Sequence, residues 1–275
     1  MNSPFRYPGG KFRARKHIMP MIPPHEGYVE PFCGGASIFF AKAKVRENAL
    51  NDLDHEVINT LRVIRDDVES LIGLLGDLPA NKGLHGFFKN QYKPSTHVEQ
   101  AFRWFYLNRT SYSGIMKHSN CYWGYGDKYS MRPGKWPRML RDVSAKLQEV
   151  RLTSFDFEDV LDELPDGFFA FVDPPYWSQG QDKLYSCAFS LDDHKRLAQC
   201  LKRNARRIDF LLTYNDCDEV RELYDWALHS NHSWTYSIAR TDDQTKGQEW
   251  VGQGSRTLGT ELFVRNYGDL APVAA

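Results

Sequence analysis

The chain has 275 residues, of which 41% are apolar and 25% charged, and its formal charge is zero. That length fits one large domain, or a domain carrying a sizeable insertion, with enough chain to bury a core without staples. Ordinary composition excludes wholesale disorder and fibrous architectures, and no apolar run approaches the roughly 18–20 residues that cross a bilayer.

Met1–Lys16 is polar and basic with no apolar segment behind it, so it does not read as a secretory signal, and a cytoplasmic location is expected. Gly27–Phe32 is a short apolar strand that stops at Cys33-Gly34-Gly35. Ala36–Lys44 is predicted helical, with Ile38, Phe39 and Phe40 on its apolar face. Asn48–Asp52 is a second strand ending on polar residues. From Val57 onward, Val57, Ile58, Leu61, Ile64, Val68, Leu71, Ile72 and Leu75 recur at helical spacing, which predicts one helix stopped by Gly76.

Residues 79–150 differ in character. His97–Asn108 is the clearest helix there, and it leads into Ser113–Trp136, a stretch crowded with Gly, Tyr, Trp and basic residues. Alternation resumes with the strand Arg151–Phe157, the strand Gly167–Val172, a helix Leu191–Asn204, the strand Asp209–Tyr214 and a helix Val220–Ala227. Trp234–Ala239 and Glu261–Asn266 are predicted as two final strands around a polar loop. Continuous apolar strands alternating with helices predict an α/β fold whose parallel sheet is covered on both faces. Residues 1–54 and 151–275 then form one domain, and residues 55–150 an inserted, mainly helical one, giving two lobes from one interrupted domain.

Zero net charge conceals an uneven distribution. Residues 101–151 carry ten Lys/Arg against three acids, and residues 1–46 carry eight against two. Two such blocks can present a cationic groove to a phosphate backbone. The five cysteines (Cys33, Cys121, Cys187, Cys200 and Cys217) contain no C-x-x-C pair, and the nine histidines show no ligand spacing. Neither a disulfide framework nor a metal is expected.

In open parallel sheets, ligands bind at the carboxyl ends of strands, and three polar clusters fall there. At Phe32-Cys33-Gly34-Gly35 the glycines let the backbone approach a ligand closely. Asn51-Asp52 sets an acid eighteen residues beyond Gly34, a placement suited to ribose hydroxyls. The G-x-G-x-x-G of nicotinamide enzymes is missing. Asp173-Pro174-Pro175-Tyr176 directly follows an apolar strand. At ordinary residue frequencies its chance occurrence in such a chain is on the order of one in a thousand.

On these motifs the sequence resembles the DNA adenine methylases, amino-group methyltransferases that use S-adenosylmethionine, over almost the whole chain. Tyr7-Pro8-Gly9-Gly10-Lys11 is similar to that family's N-terminal motif and implies cofactor contacts by Tyr7 and Lys11. Glu30-Pro31-Phe32-Cys33-Gly34-Gly35 resembles its glycine loop, which implies that Phe32, Cys33, Gly34 and Gly35 border the methionine moiety. Asp52 stands where the family holds the ribose, and Asp156-Phe157 where it meets the cofactor adenine. Asp173, Pro174, Pro175 and Tyr176 match the catalytic motif, whose aspartate also borders the cofactor. Tyr214-Asn215-Asp216 and Glu261–Tyr267 resemble later family segments.

The resemblance implies a Rossmann-like methyltransferase sheet with helices on both faces and a target-recognition domain inserted between the second and third strands. It implies methyl transfer to the N6 amino group of an adenine flipped out of double-stranded DNA. No membrane or metal is implied, and the protein would act beside a cognate restriction enzyme or alone. Asp173 would accept one amino N–H and the Pro174 carbonyl the other, while Tyr176 stacks on the base; Cys33 is a packing residue rather than a nucleophile. The same residues leave open cytosine N4 or RNA as acceptor, and a catalytically silent DNA-binding protein. Asn108-Arg109-Thr110-Ser111-Tyr112-Ser113-Gly114 resembles the family's N-R-x-x-F-N-G, with Ser113 replacing its asparagine. The pattern that follows in GATC-specific members is not evident, so no recognition sequence carries over. Expected DNA contacts are Arg109, Tyr112, Lys117, Tyr122, Trp123, Arg132 and Lys135, and Gln244–Gln253 is read as an ordinary loop.

Overall fold

A computed structural model describes residues 1–126, 128, 130–177, 187, 189–235 and 258–268. The loop Gln244–Gln253 and the far end of the strand predicted at Trp234–Ala239 lie outside the described residues. Seven strands make one sheet: β1 (Gly27–Glu30), β2 (Glu47–Asn51), β3 (Arg151–Thr153), β4 (Phe168–Val172), β5 (Asp209–Asn215), β6 (Leu228–Thr235) and β7 (Leu258–Arg265). Their order is β3-β2-β1-β4-β5-β7-β6. The first five run parallel, and β7 enters antiparallel between β5 and β6. The chain moves outward from β1 to β3 and returns to β4 beside β1, so the strand order reverses between them. This is a Rossmann-like sheet, and such a reversal leaves a crevice beyond the carboxyl ends of the two strands.

The pleat explains why the central strands read as continuous apolar runs. On β4, Phe169 and Phe171 point into one core while Phe168, Ala170 and Val172 point into the other. Seven helices pack with the first face or its N-terminal border: α1 (Arg15–Ile18), α2 (Ser37–Ala41), α3 (His55–Asp66), α4 (Val68–Leu75), α5 (Lys82–Asn90), α6 (His97–Thr110) and α7 (Trp136–Leu147). The second face is covered by α8 (Phe157–Asp162), α9 (Leu191–Asn204) and α10 (Asp218–Leu223). Capping boxes fix where two of them begin, Thr96 with Glu99 for α6 and Ser190 with Asp193 for α9.

Several boundaries differ from the sequence reading. The helix predicted from Val57 to Leu75 breaks at Asp67, whose φ of −147° and ψ of 49° are not helical. Periodicity hides the break because α3 and α4 bury their apolar stripes in the same core. The strand expected over 151–157 ends at Thr153, since Asp156 turns the chain by accepting from Glu158 N at 2.9 Å and capping α8. Strand β6 starts at Leu228, earlier than expected, in a polar Leu-His-Ser-Asn-His-Ser stretch that carries no apolar alternation.

Residues 55–150, expected as a second lobe, share buried core with the sheet. Trp104, Phe105, Tyr106, Trp136 and Leu140 from residues 55–150 share one buried cluster with Tyr28, Leu50, Phe169 and Phe171 of the sheet. A boundary drawn at 54 and 150 therefore cuts through a continuous core. The helices between β2 and β3 pack on the sheet, and the segment between α6 and α7 carries short turns among its described residues.

Candidate active site

The loop after β1 is shaped by backbone contacts. Cys33 N donates to Asn51 O at 2.8 Å, and Gly34 N donates to Asp52 Oδ2 at 2.7 Å, so the ends of β1 and β2 are tied together. Gly34 has φ +45°, and a Cβ there would sit 2.6 Å from the Tyr7 ring, so only glycine fits beneath that ring. The second oxygen of Asp52 accepts from Asp54 N at 2.9 Å. Burial pushes the Asp52 carboxyl up to about 6, against the lowering effect of those two N–H donors. Cys33 is buried, and burial drives its thiol far above the ordinary range, which fits packing and not nucleophilic attack.

Beyond the tips of β2 and β3, Phe32 and Phe157 lie 5.4 Å apart, and Phe189 closes an aromatic box at 5.6 and 5.9 Å from them. Asp156 borders the box, its Oδ1 accepting from Arg196 at 2.9 Å. One cleft is lined by this box together with Tyr7, Gly34, Asp52 and Asp173. These residues fit S-adenosylmethionine. They offer aromatic faces for a purine, a carboxylate for its amino group, a second for a ribose diol, and a glycine floor under Tyr7.

The Asp173-Pro174-Pro175-Tyr176 motif starts where β4 ends. Lys11, only 4% exposed, places its Nζ 2.6 Å from Asp173 Oδ1 and donates to Oδ2 at 2.8 Å and to Gly9 O at 3.1 Å. Burial alone would lower the ammonium pKa, but the carboxylates of Asp173 and Glu261 outweigh it and hold Lys11 charged. Its Nζ also lies 4.9 Å from the centre of the Tyr176 ring. From β5, Thr213 Oγ1 donates to Asp173 Oδ1 at 2.8 Å, and Asn215 Nδ2 donates to Trp177 O at 2.9 Å just past the motif. Pro174 is buried; Pro175 and Tyr176 are half-buried.

Three contributors escaped the sequence reading. Thr213 stands in an apolar strand, where a hydroxyl is itself a signal. Phe189 follows no motif or periodicity. Glu30 lies fully buried behind the glycine loop and accepts from Tyr28 OH at 2.7 Å and Phe39 N at 2.6 Å, yet burial still pushes its carboxyl up to about 8.

Of the expected DNA contacts, Arg109 is corrected by the structure. It is only 7% exposed, and its NH1 donates to Pro4 O at 3.2 Å, so it points into the protein and not toward solvent. Burial pulls its guanidinium down to about 10. Its neighbour Asn108 accepts from Arg6 N at 2.9 Å and donates to Arg6 O at 2.7 Å. The Asn-Arg pair thus anchors the segment that leads to Tyr7 and Lys11. Gly114 belongs to the same clamp, since a Cβ there would meet Arg6 O at 2.1 Å.

The other candidates remain nearer solvent. Tyr112 is 44% and Tyr122 63% exposed, and they are linked by Tyr112 N donating to Tyr122 O at 2.7 Å. Arg132 and Lys135 are exposed and Lys117 is half-buried, while Trp123 packs on Tyr125 and His85. Among the described residues, no helix is long and apolar enough to cross a membrane, and no group of three His, Cys, Asp or Glu could hold a metal ion.

Comparison with known proteins shows the family. The model of the D12 class N6 adenine-specific DNA methyltransferase family matches residues 7–238. The type II methyltransferase M1.LlaDCHI of Lactococcus lactis subsp. cremoris is 25% identical over 96% of this chain and 95% of its own. The type II methyltransferase M.CviBI of Paramecium bursaria Chlorella virus NC1A is 27% identical over 95% of this chain and 98% of its own. The DNA N-6-adenine-methyltransferase of Escherichia phage P1 is 30% identical over 80% of this chain but 30% of its own length. With the match running through the glycine loop, Asp52 and the Asp173–Tyr176 motif, the chain belongs to the D12 class of N6 adenine-specific DNA methyltransferases.

Proposed function

We propose that this protein transfers the methyl group of S-adenosylmethionine to the N6 amino group of an adenine flipped out of double-stranded DNA, and that Asp173, Pro174 and Tyr176 receive that base. The observation that carries the assignment of residues is the carboxylate of Asp173. It is held by Lys11 and Thr213 at the mouth of the cleft that Asp52, Phe32 and Phe157 line. When bound, S-adenosylmethionine supplies an electrophilic methyl group, so the protein's task is to align a poor nucleophile. The lone pair of an adenine amino group is delocalised into the ring. Asp173 accepts one of its N–H bonds and the Pro174 carbonyl the other, which draws the nitrogen toward tetrahedral geometry. Proline fixes φ and so restricts the direction of that carbonyl. Tyr176 stacks on the base, worth roughly 1–3 kcal/mol, and offsets part of the few kcal/mol needed to extrude it.

Phosphate contacts are assigned to Arg132, Lys135 and Lys117, with Tyr112 and Tyr122 as aromatic wedges in the target-recognition segment. Mass spectrometry of nucleosides from unmethylated duplex DNA, incubated with the protein and S-adenosylmethionine, tests the proposal. N6-methyldeoxyadenosine is expected. N4-methyldeoxycytidine would overturn the choice of base, and no methylated nucleoside would overturn the activity.

A further inference from the structure

Thr213 lies outside the catalytic motif but touches it. It is the fifth residue of β5 and is fully buried, next to the apolar Phe210, Leu211 and Leu212. A buried hydroxyl is costly without a partner, and this one donates to Asp173 Oδ1 at 2.8 Å. Strand register makes the contact unavoidable: Val172 pairs with Leu212, so the next residue on each strand, Asp173 and Thr213, fall side by side.

A carboxylate offers about four lone-pair positions. Oδ1 faces both the Thr213 hydroxyl and the Lys11 ammonium, whereas among the described residues Oδ2 takes a hydrogen bond from Lys11 alone. The ammonium lies close to both oxygens and so does little to distinguish them. The terminal torsion of an aspartate is broad, which leaves the plane of the carboxylate loosely set unless a third group fixes it. We propose that Thr213 is a positioning residue for methyl transfer: its hydroxyl pins Oδ1 and leaves the open lone pair of Oδ2 to accept the amino N–H of the target base. This inference rests on the amino-group acceptor proposed above and extends it by one residue that the motif does not contain.

The test compares Thr213→Val, close in shape but without the hydroxyl, and Thr213→Ser, which keeps it, with the parent protein. Single-turnover methylation of unmethylated duplex DNA gives the rate, and calorimetry gives the S-adenosylmethionine affinity separately. Thr213→Val is expected to slow the transfer roughly 10- to 100-fold, the worth of a hydrogen bond to a charged group. Cofactor affinity should stay within about threefold in both variants, and Thr213→Ser should keep a rate within about threefold of the parent. A parent-like rate for Thr213→Val overturns the inference, and so does a Thr213→Ser variant as slow as the valine one. Thr213→Ala takes the place of the valine variant, with the same reading, if the latter does not fold. An inactive parent overturns the proposed function itself, which an active parent with a parent-like valine variant leaves standing.

Discussion

The ammonium of Lys11 lies 2.6 Å from the carboxylate of Asp173, although 162 residues separate them in sequence. The lysine comes from the turn before α1 and the aspartate from the end of β4, so this pair fastens the N-terminal motif to the end of that strand. Because the lysine is buried, its charge has a structural consequence.

Removing one partner of a buried pair leaves the other uncompensated, at a cost of about 3 kcal/mol or more. Lys11→Met is therefore expected to lower the urea midpoint as well as the methylation rate, and a parent-like midpoint would deny the pair any structural part. Asp173→Ala should abolish transfer and, because it leaves the buried Lys11 ammonium without its partner, lower the urea midpoint as well. Retained turnover in that variant would sink the proposed mechanism.

Asp52 is expected to set how cofactor binding responds to acid. Its carboxyl sits at about 6 in the folded protein, so it is ionised at neutral pH, able to accept from ribose hydroxyls, and protonated below. Affinity for S-adenosylmethionine is expected to be level above about pH 7 and to fall as pH drops through 6. Calorimetry across that range checks the sign. Asp52→Asn should bind weakly and lose the acid limb, whereas a variant with the parent's pH dependence would remove Asp52 from the site.

Glu30 works in the opposite sense, on stability. Its folded carboxyl titrates at about 8, above the ordinary carboxylate range near 4.5. Between those values the folded chain holds a proton that the unfolded chain has released. Its contribution is therefore favourable at low pH and is lost as pH rises through that window. Glu30→Gln keeps a carbonyl for Tyr28 and Phe39 without the titration. Its melting temperature should decline less between pH 5 and 8 than that of the parent, by about the effect of one group. Parallel melting curves would place the Glu30 titration elsewhere.

Arg109 and the exposed cations should separate cleanly. Charge reversal at Lys117, Arg132 and Lys135 is expected to weaken DNA binding and to flatten its dependence on salt, because fewer counterions are released. Arg109→Ala should instead lower the melting temperature, since the Pro4 carbonyl loses its donor, and leave the salt slope unchanged. A reduced slope with unchanged melting would return Arg109 to the DNA surface.

Much of the site was legible in the sequence because its chemistry is local. The tight turn at Gly34, the acid ending β2 and the Asp-Pro-Pro-Tyr run each sit directly after an apolar strand, and strand ends are where a parallel sheet presents ligands. Helices α6 and α9 were readable for a similar reason: their capping residues and apolar stripes lie within a few positions of each other. The break at Asp67 was not, because hydrophobic spacing reports which residues face the core and not whether the backbone continues between them.

What sequence alone determined is thus the order of strands and helices around three ligand-facing ends, and the family that their motifs resemble. Only the tertiary structure decided which residues meet. Thr213 reaches Asp173 through strand register, Glu30 is enclosed behind the glycine loop, Phe189 closes the aromatic box, and Arg109 turns inward to Pro4. The reason is physical: hydrogen bonds and burial between distant segments depend on how the sheet and its helical layers are stacked, and no short window of sequence records that stacking.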